Sequence, residues 1–570
     1  MAKIVYVCVR NRELIPALHK RISAIIKNIL PDHIVNAECK LISEEDIIYG
    51  ISNYNSLIKE EGISVCMGEL NSNQTNSWNK ISCKVDGSYA LFRNDKNCVQ
   101  IVSDVVASRT IWYYFDENLF IASTSQRAIV SLTGKFELDK RVIPWMLSSG
   151  TLGPSYSWSK HINRLMPDSS LLLNKSSWSI NIESIQPKFI EEKKKSKLHF
   201  TQLNDILNNV FNSFSLDLSK WALPLSGGFD SRAIACFLKK GKISSDKITA
   251  ITWGLKDSIN QKDTDAFVAK KIAAELHLNH TYYETDLASN SIEVVFDRYI
   301  KSSEGRIDHI SGYADGLAIW KKLFDSNIKG IIRGDEGFGW HAVVSDSNVR
   351  YSVGLVMCSD FANLEDYESY GFLKQDIPPY LTKNKIETKE QWRDRLYHQY
   401  RIPIVLAALS DIKLSYVEIV NPLLTHEIIR QVQKMPDELR TEKKLFKKIV
   451  KSISPNLEYA KKGSIASVED IIKTPEALQL IISELNSPYL KEVFPQLFIN
   501  KIIKKINQPH KKSNKKNLLK RWAKNFFPMF IKDAFRNNIS KPYIDYHKIA
   551  FRMYLTGKTY KMLVEDSKSQ

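Results

Sequence analysis

The chain has 570 residues, 43% of them hydrophobic and 25% charged, with a formal net charge of +18. That length sets a prior of two or three domains with ample core for each, and the composition excludes a disordered or fibrous chain. Seven cysteines stand singly without a CxxC pair, which argues against structural zinc and a disulfide framework and fits a reducing cytoplasm. No apolar run reaches membrane-spanning length, and the opening MAKIVYVCVRNREL lacks a signal peptide's long apolar stretch and small-residue cleavage site.

Residues 1–190 read as β-rich. Residues 3–9, 65–70, 89–93, 99–102, 111–115 and 119–122 are short apolar or alternating runs separated by Asn, Asp, Gly and Ser. Residues 171–174 and 178–180 read as a closing hairpin. The charged, core-free stretch EEKKKSK at 191–197 marks a domain boundary.

From residue 198 the pattern changes to strands alternating with helices, which implies a doubly wound parallel sheet with its ligand at the carboxyl ends of the strands. The stretch WALPLSGGFDSRAIACFLKK, residues 221–240, organises this part. Residues 221–225 read as a buried strand, Ser226-Gly227-Gly228-Phe229 as a tight turn, and Asp230-Ser231-Arg232 as the start of a helix. A strand, a glycine turn and a helix N-terminus together form an anion site. The glycines let backbone N–H groups come close, and the helix dipole favours negative charge. Ser226 and Ser231 add hydroxyls, and Asp230 is placed to hold Mg²⁺ against phosphate oxygens. Residues 248–253 form a second strand ending at Trp253-Gly254, followed by a helix at 264–276 and strands at 280–283 and 330–332. The last of these runs into Arg333-Gly334-Asp335-Glu336-Gly337, where two adjacent acids at a strand end suit Mg²⁺ bound to pyrophosphate. Residues 402–414 and 439–450 read as helices.

Residues 226–231, Ser-Gly-Gly-Phe-Asp-Ser, resemble the PP-loop of the ATP pyrophosphatases, enzymes that cleave ATP to AMP and pyrophosphate. The Walker A ending is missing. The first half holds, in order, Asp86-Gly87-Ser88-Tyr89-Ala90, Ser103-Asp104, Trp112-Tyr113-Tyr114, Phe120-Ile121-Ala122-Ser123 and Ile162-Asn163-Arg164-Leu165-Met166-Pro167. This order resembles the glutaminase domain of asparagine synthetases, an Ntn-type α+β sandwich. The chain is thus similar to the asparagine synthetase-like amidotransferases, which include β-lactam synthetases and lasso-peptide cyclases. The resemblance implies three parts: a glutaminase-like domain at 1–190, a PP-loop domain at 198–470 and a helical basic extension at 471–570. It also implies ATP and Mg²⁺, an acyl-adenylate formed on a small-molecule or peptide carboxylate, and an amine or ammonia as nucleophile. Nucleotide contacts fall on Leu225, Ser226, Gly227, Gly228, Asp230, Ser231, Trp253 and Gly254. Metal contacts fall on Asp230, Asp335 and Glu336, and catalytic roles on Lys461 (with Lys462 as the fallback), Lys444 and Glu304.

Two departures matter. The family's nucleophile is a cysteine directly after the initiator Met, and here that residue is Ala2, which has no nucleophilic atom. The first Glu of the family's Gly-Glu-Gly-Ser-Asp-Glu loop falls at Ile332, which puts aspartate as substrate in doubt. An amine substrate or free ammonia is therefore expected, with ammonia-dependent asparagine synthesis as the alternative. A tRNA-modifying enzyme or a non-catalytic ATP-binding homologue stands further off.

Residues 501–541 hold thirteen Lys and Arg against one acid, Asp533, and so carry +12 of the net charge. Here Lys515, Lys516, Lys520, Arg521 and Lys524 interleave with Trp522, Phe526, Phe527, Phe530 and Phe535. An anionic membrane surface, an acidic peptide or nucleic acid, and simple packing on the preceding domain all remain open as readings. No nucleic-acid partner is assigned.

Overall fold

The computed structural model describes residues 3–54, 57–71, 77–213, 216–241, 247–286, 291–508 and 541–569. Most of the basic, aromatic stretch, including Lys515 to Phe535, lies outside the described residues.

Among the described residues, twelve strands precede residue 185. They are β1 (Lys3–Val9), β2 (Lys40–Glu44), β3 (Ile47–Ser52), β4 (Lys59–Glu61), β5 (Ser64–Leu70), β6 (Gly87–Asn94), β7 (Cys98–Ser103), β8 (Trp112–Phe115), β9 (Leu119–Ser123), β10 (Asn163–Arg164), β11 (Ser169–Asn174) and β12 (Ser179–Ser184). They form two six-stranded antiparallel sheets, in the orders β10-β8-β9-β1-β3-β2 and β12-β11-β7-β6-β5-β4. One face of each sheet closes a shared core: Ile4, Tyr6 and Cys8 of β1 meet Met67, Phe92, Ile101 and Leu171. The other face of β1, Val5, Val7 and Val9, packs with Ile22, Ile25 and Ile26 of the helix Ile15–Asn28. With protein on both sides, all seven residues of β1 are buried. The hairpin β2–β3 is absent from the sequence-based strands because β2 is half-exposed and polar, KLISE.

No helix or strand spans residues 185–195. Beyond them, β13 (Trp221–Pro224), β14 (Thr249–Gly254), β15 (Asn279–Glu284), β16 (Gly330–Ile332) and β17 (Glu418–Val420) form one parallel sheet in the order β15-β14-β13-β16-β17. Successive strands step outward on one side of β13, and the chain then returns to its other side. The loops after β13 and β16 therefore open side by side at a topological switch point, where such sheets form their ligand crevice. Gly330 makes the β13–β16 register possible, since a side chain there would run into the Trp221 ring.

The helices after residue 471 do not stand apart. The helix Tyr546–Lys568 packs against Gln126–Thr133 and Val142–Ser149 on one side and Ile292–Ser303 on the other. Arg127 pairs with Asp566 at 2.8 and 3.0 Å. Arg552 donates to Asp308 at 2.7 Å and to the carbonyls of Leu147 and Ser148. Against the cost of burial, Arg552 and His309 hold the Asp308 carboxyl well below the usual carboxylate range. No helix among the described residues is long and apolar enough to cross a membrane.

Arg552→Met should destabilise the protein by about 3–5 kcal/mol, because it leaves Asp308 buried with only His309 beside it. A group with a depressed folded-state pKa stabilises above its unfolded value. The parent's advantage over the variant should thus be largest at neutral pH, where the stranded carboxyl would have to carry its charge, and fade as pH falls through about 4. Denaturant unfolding of both proteins at pH 7 and pH 3 measures it.

Candidate active site

The loop after β13 is closed by its own hydroxyls. Ser226 N–H donates to Ser231 Oγ at 3.0 Å, the two serine hydroxyls lie 3.0 Å apart, and Gly228 N–H donates to Ser226 Oγ at 3.3 Å. The helix Phe229–Lys240 starts directly behind, with no side chain capping its first turn. Its leading N–H groups and its dipole thus face the crevice uncovered. Leu225 is buried, and its N–H donates to Ile251 at 2.8 Å, which fixes the loop to the sheet.

Asp230, in the first helical turn, meets the acid loop that follows β16. Gly334 allows this, since even a Cβ there would lie 3.2 Å from Asp230 Cβ and from Ser231 N. Between the two loops sits the ammonium of Lys443, 3.0 Å from the Asp230 carboxylate and 2.8 Å from Glu336. Glu336 is 2% exposed; it also accepts from Phe338 N–H at 2.7 Å and Tyr397 OH at 3.4 Å. Burial pushes the Glu336 carboxyl above its ordinary value, against the pull of Lys443. Burial alone would lower the Lys443 ammonium, but Glu336 and Asp230 hold it above its ordinary value. Asp335 is paired with Arg333 at 2.8 Å.

The segment 457–464 lies across the glycine loop. Arg232 donates to the carbonyls of Leu457 and Glu458 and sits 3.9 Å over the Tyr459 ring, which stacks on Phe229 at 3.8 Å. Ala460 N–H donates to the Gly227 carbonyl, and a side chain at Gly227 would meet Ala460 Cβ at 2.5 Å. Leu255 N–H donates to the Ser464 carbonyl, so the segment also grips the end of β14, where a side chain at Gly254 would collide with Ser464. Trp253 is half-buried, edge-on to Trp320 at 5.5 Å. The loop residues 225–231, the β14 end and the acids thus share one crevice.

Two expected residues sit elsewhere, and a third, Lys461, lies beside the glycine loop with its side chain exposed. Lys444 is exposed and lines an open cleft of about 700 Å³ with Glu390, Asp437, Glu442 and Lys448. The expected continuous helix over 439–450 breaks at Glu442 and Lys443, both with positive φ, and restarts at Lys444. The break swings Lys443, not Lys444, into the crevice. Glu304 is buried at the junction with the first domain. It accepts from Lys3 Nζ at 3.1 Å and Gln126 N–H at 2.9 Å, and Ser125 Oγ donates to it as well. It holds β1 to the end of the helix Ile292–Ser303 and does not reach the crevice. The Lys461 side chain is 67% exposed, with its ammonium 3.7 Å from Asp263. Lys461 and Lys462 serve the site through backbone bonds to the Asp263 carbonyl.

Residues 219–304 match the family described as asparagine synthase. That segment is asparagine synthetase-like. It takes in β13 to β15, the glycine loop and its helix, and ends at Glu304. Arg333, Asp335, Glu336 and Lys443 lie outside the matched, asparagine synthetase-like segment. No curated protein matches the chain.

Lys443 and Tyr397 carried no signal strong enough to find from sequence. Lys443 is one of two adjacent lysines, and the kink that selects it contains neither Gly nor Pro. Tyr397 opens a widened helical stretch, Tyr397–Leu406, that contains Pro403. Such widening turns side chains off the regular helical face.

Lys443→Met should destabilise by about 3–5 kcal/mol at neutral pH, because it strands a buried carboxylate. Without Lys443 the folded state keeps a proton on Glu336 that the unfolded chain releases, so the variant's stability should fall as pH rises from about 4.3. Lys444→Met should stay within about 0.5 kcal/mol of the parent. Urea titrations at pH 5 and pH 8 separate the two.

Proposed function

We propose that this protein is an ATP-dependent, AMP-forming carbon–nitrogen ligase that activates a carboxylate as an acyl-adenylate and passes the acyl group to an amine or ammonia. The observation that carries this reading is the glycine loop at the switch point, with an uncapped helix behind it and Lys443 held beside it by two carboxylates. The asparagine synthetase-like match over 219–304 supports it.

In this reading the N–H groups of residues 227–231 and the Ser226 and Ser231 hydroxyls receive phosphate oxygens. Trp253 and the backbone of Gly254 border the base. The substrate carboxylate attacks the α-phosphorus, the bond to the β-phosphate oxygen breaks, and pyrophosphate leaves with its charge. The nitrogen nucleophile then displaces AMP. Lys443 neutralises the charge gathering on the leaving pyrophosphate, and Arg232 holds segment 457–464 over the loop. The chain's share is positioning and charge neutralisation.

Mg²⁺ fits this donor set. Asp230 and Glu336 already converge on one cation, the Lys443 ammonium. Mg²⁺ commonly takes one or two carboxylates and completes its shell with water and phosphate oxygens. Among the described residues there is no group of three or more His, Cys, Asp or Glu to form a protein-only cage. Asp230 and Glu336 would hold the ion, with Lys443 turned toward phosphate, and bound Mg²⁺ would neutralise the pyrophosphate. Asp335, paired with Arg333, is the less available acid. Since residue 2 is Ala2, the first domain supplies no cysteine there to release ammonia from glutamine, and the nitrogen comes from an amine or free ammonia.

Product analysis with Mg-ATP and a panel of carboxylates and amines tests this. Turnover should give AMP and pyrophosphate, Asp230→Ala should abolish it, and Lys443→Ala should lower kcat by about 10²–10³-fold. ADP and phosphate as products would rule the reading out.

A further inference from the structure

Beside the Lys443 joint the crevice holds a second cation, and no group of the protein neutralises it. Trp340, four residues past Glu336, donates its indole N–H to the Ser352 carbonyl at 2.8 Å. The Lys443 ammonium lies 5.7 Å from the centre of the Trp340 ring. Tyr397, whose hydroxyl donates to Glu336, packs on the same ring at 4.8 Å between centres. Arg401 lies over it too, its guanidinium 5.1 Å from the centre. Lys443 and Arg401 thus share one ring, and those two distances cap their separation. Arg401 is half-buried. Its Nε is buried without a partner, and among the described residues no ion pair or hydrogen bond engages the guanidinium.

Local structure explains the placement. Tyr397 and Arg401 stand four residues apart in the widened stretch Tyr397–Leu406, so both side chains reach Trp340. Widened stretches of this kind recur at functional sites. The crevice acids are already engaged, Asp335 by Arg333 and Asp230 and Glu336 by Lys443, so none of them serves Arg401. A Cβ at Gly354 would meet Arg401 Nη1 at 3.9 Å and no other described side chain within 4 Å, so open space borders the guanidinium. Stacking uses the face of a guanidinium and leaves its edge free for a bidentate anion. Trp340 and Arg401 lie outside the family-matched segment 219–304.

We propose that Arg401, braced on Trp340, binds the terminal phosphate of ATP and, with Lys443, grips the pyrophosphate as it leaves. The loop carrying Trp340 follows β16, on the opposite side of β13 from β14, where the base is bordered. The end of the polyphosphate remote from the base therefore reaches it. The attacking and leaving oxygens of a phosphoryl transfer lie roughly in line. A cation next to Lys443 thus faces the leaving group and not the incoming acid. A polyanion between Lys443 and Arg401 also removes their mutual repulsion. This inference rests on the ligase reading and adds a residue to its leaving-group end.

The test is calorimetric titration of the full chain in Mg²⁺ with pyrophosphate, orthophosphate and AMP as probes. Pyrophosphate should bind the parent at least about tenfold more tightly than orthophosphate. Arg401→Met should weaken pyrophosphate binding about tenfold or more and leave AMP binding unchanged. Its melting temperature should stay within about 3 °C of the parent's, because the guanidinium has no hydrogen bond to lose in the empty protein. Arg401→Lys keeps the charge and loses the fork, so it should recover part of the lost affinity. A residue that only braced Trp340 would act differently, weakening AMP and pyrophosphate alike and gaining nothing from lysine. That pattern, pyrophosphate binding indifferent to Arg401→Met, or no pyrophosphate binding by the parent overturns the proposal. The ligase reading fails separately. ADP in place of AMP on turnover removes it and leaves the Arg401-dependent pyrophosphate affinity standing, whereas AMP formation without that dependence removes only the role of Arg401.

Discussion

One ammonium holds the crevice together. Asp230 begins a helix after β13, and Glu336 ends a turn after β16. The two elements are about a hundred residues apart in sequence, and each would repel the other's carboxylate. Lys443 converts that repulsion into a joint, 3.0 Å from one acid and 2.8 Å from the other. Its backbone is held in the left-handed region at φ 56°, and the following helix packs Phe446 face to face on Phe338 at 3.9 Å. Three chain segments are thereby tied at a place where the parallel sheet alone leaves a gap. The same geometry makes the joint exchangeable. In the ligase reading proposed above, its charges are those that a polyphosphate and a divalent ion would trade places with.

Around this joint the charges are sorted by role. Glu304 with Lys3, Asp308 with Arg552 and Arg127 with Asp566 fasten domains and helices. The pairs at the crevice are partly exposed at Asp230 and Arg333 and are backed by buried Glu336. Structural pairs gain from being closed, while functional pairs need one open side.

The sequence made the glycine loop legible because strand, turn and helix each have a local cause. Trp221 to Leu225 is continuously apolar, Gly227 and Gly228 permit the tight approach, and a buried helix follows. The acid pair was equally plain, since Asp335 and Glu336 follow the end of β16 after only Arg333 and Gly334. What connects them was not legible. Choosing Lys443 over Lys444 depends on a kink at Glu442 and Lys443 with no Gly or Pro to announce it, and the family spacing over 439–450 pointed to Lys444. Glu304 misled for the opposite reason. The family resemblance alone suggested it as a site acid, but its partners Lys3, Ser125 and Gln126 come from the far end of the chain, and no local pattern encodes them. In the first domain β1 is buried on both faces, so its identity came from unbroken apolarity and not from alternation. Half-exposed β2 had neither signal.

The helix Tyr546–Lys568 also bears on how the protein is made. Its Ile549, Phe551, Met553 and Leu555 belong to the same apolar core as Val5, Val7 and Ile22 near the start of the chain. During synthesis that early surface leaves the ribosome long before its cover exists. At translation rates of about 5–20 residues per second the wait is on the order of half a minute or more. The nascent chain must keep these apolar faces apart from other chains for that whole interval. Yield in the cell should therefore respond to chaperone supply and to the speed of elongation more than the stability of the finished fold would suggest.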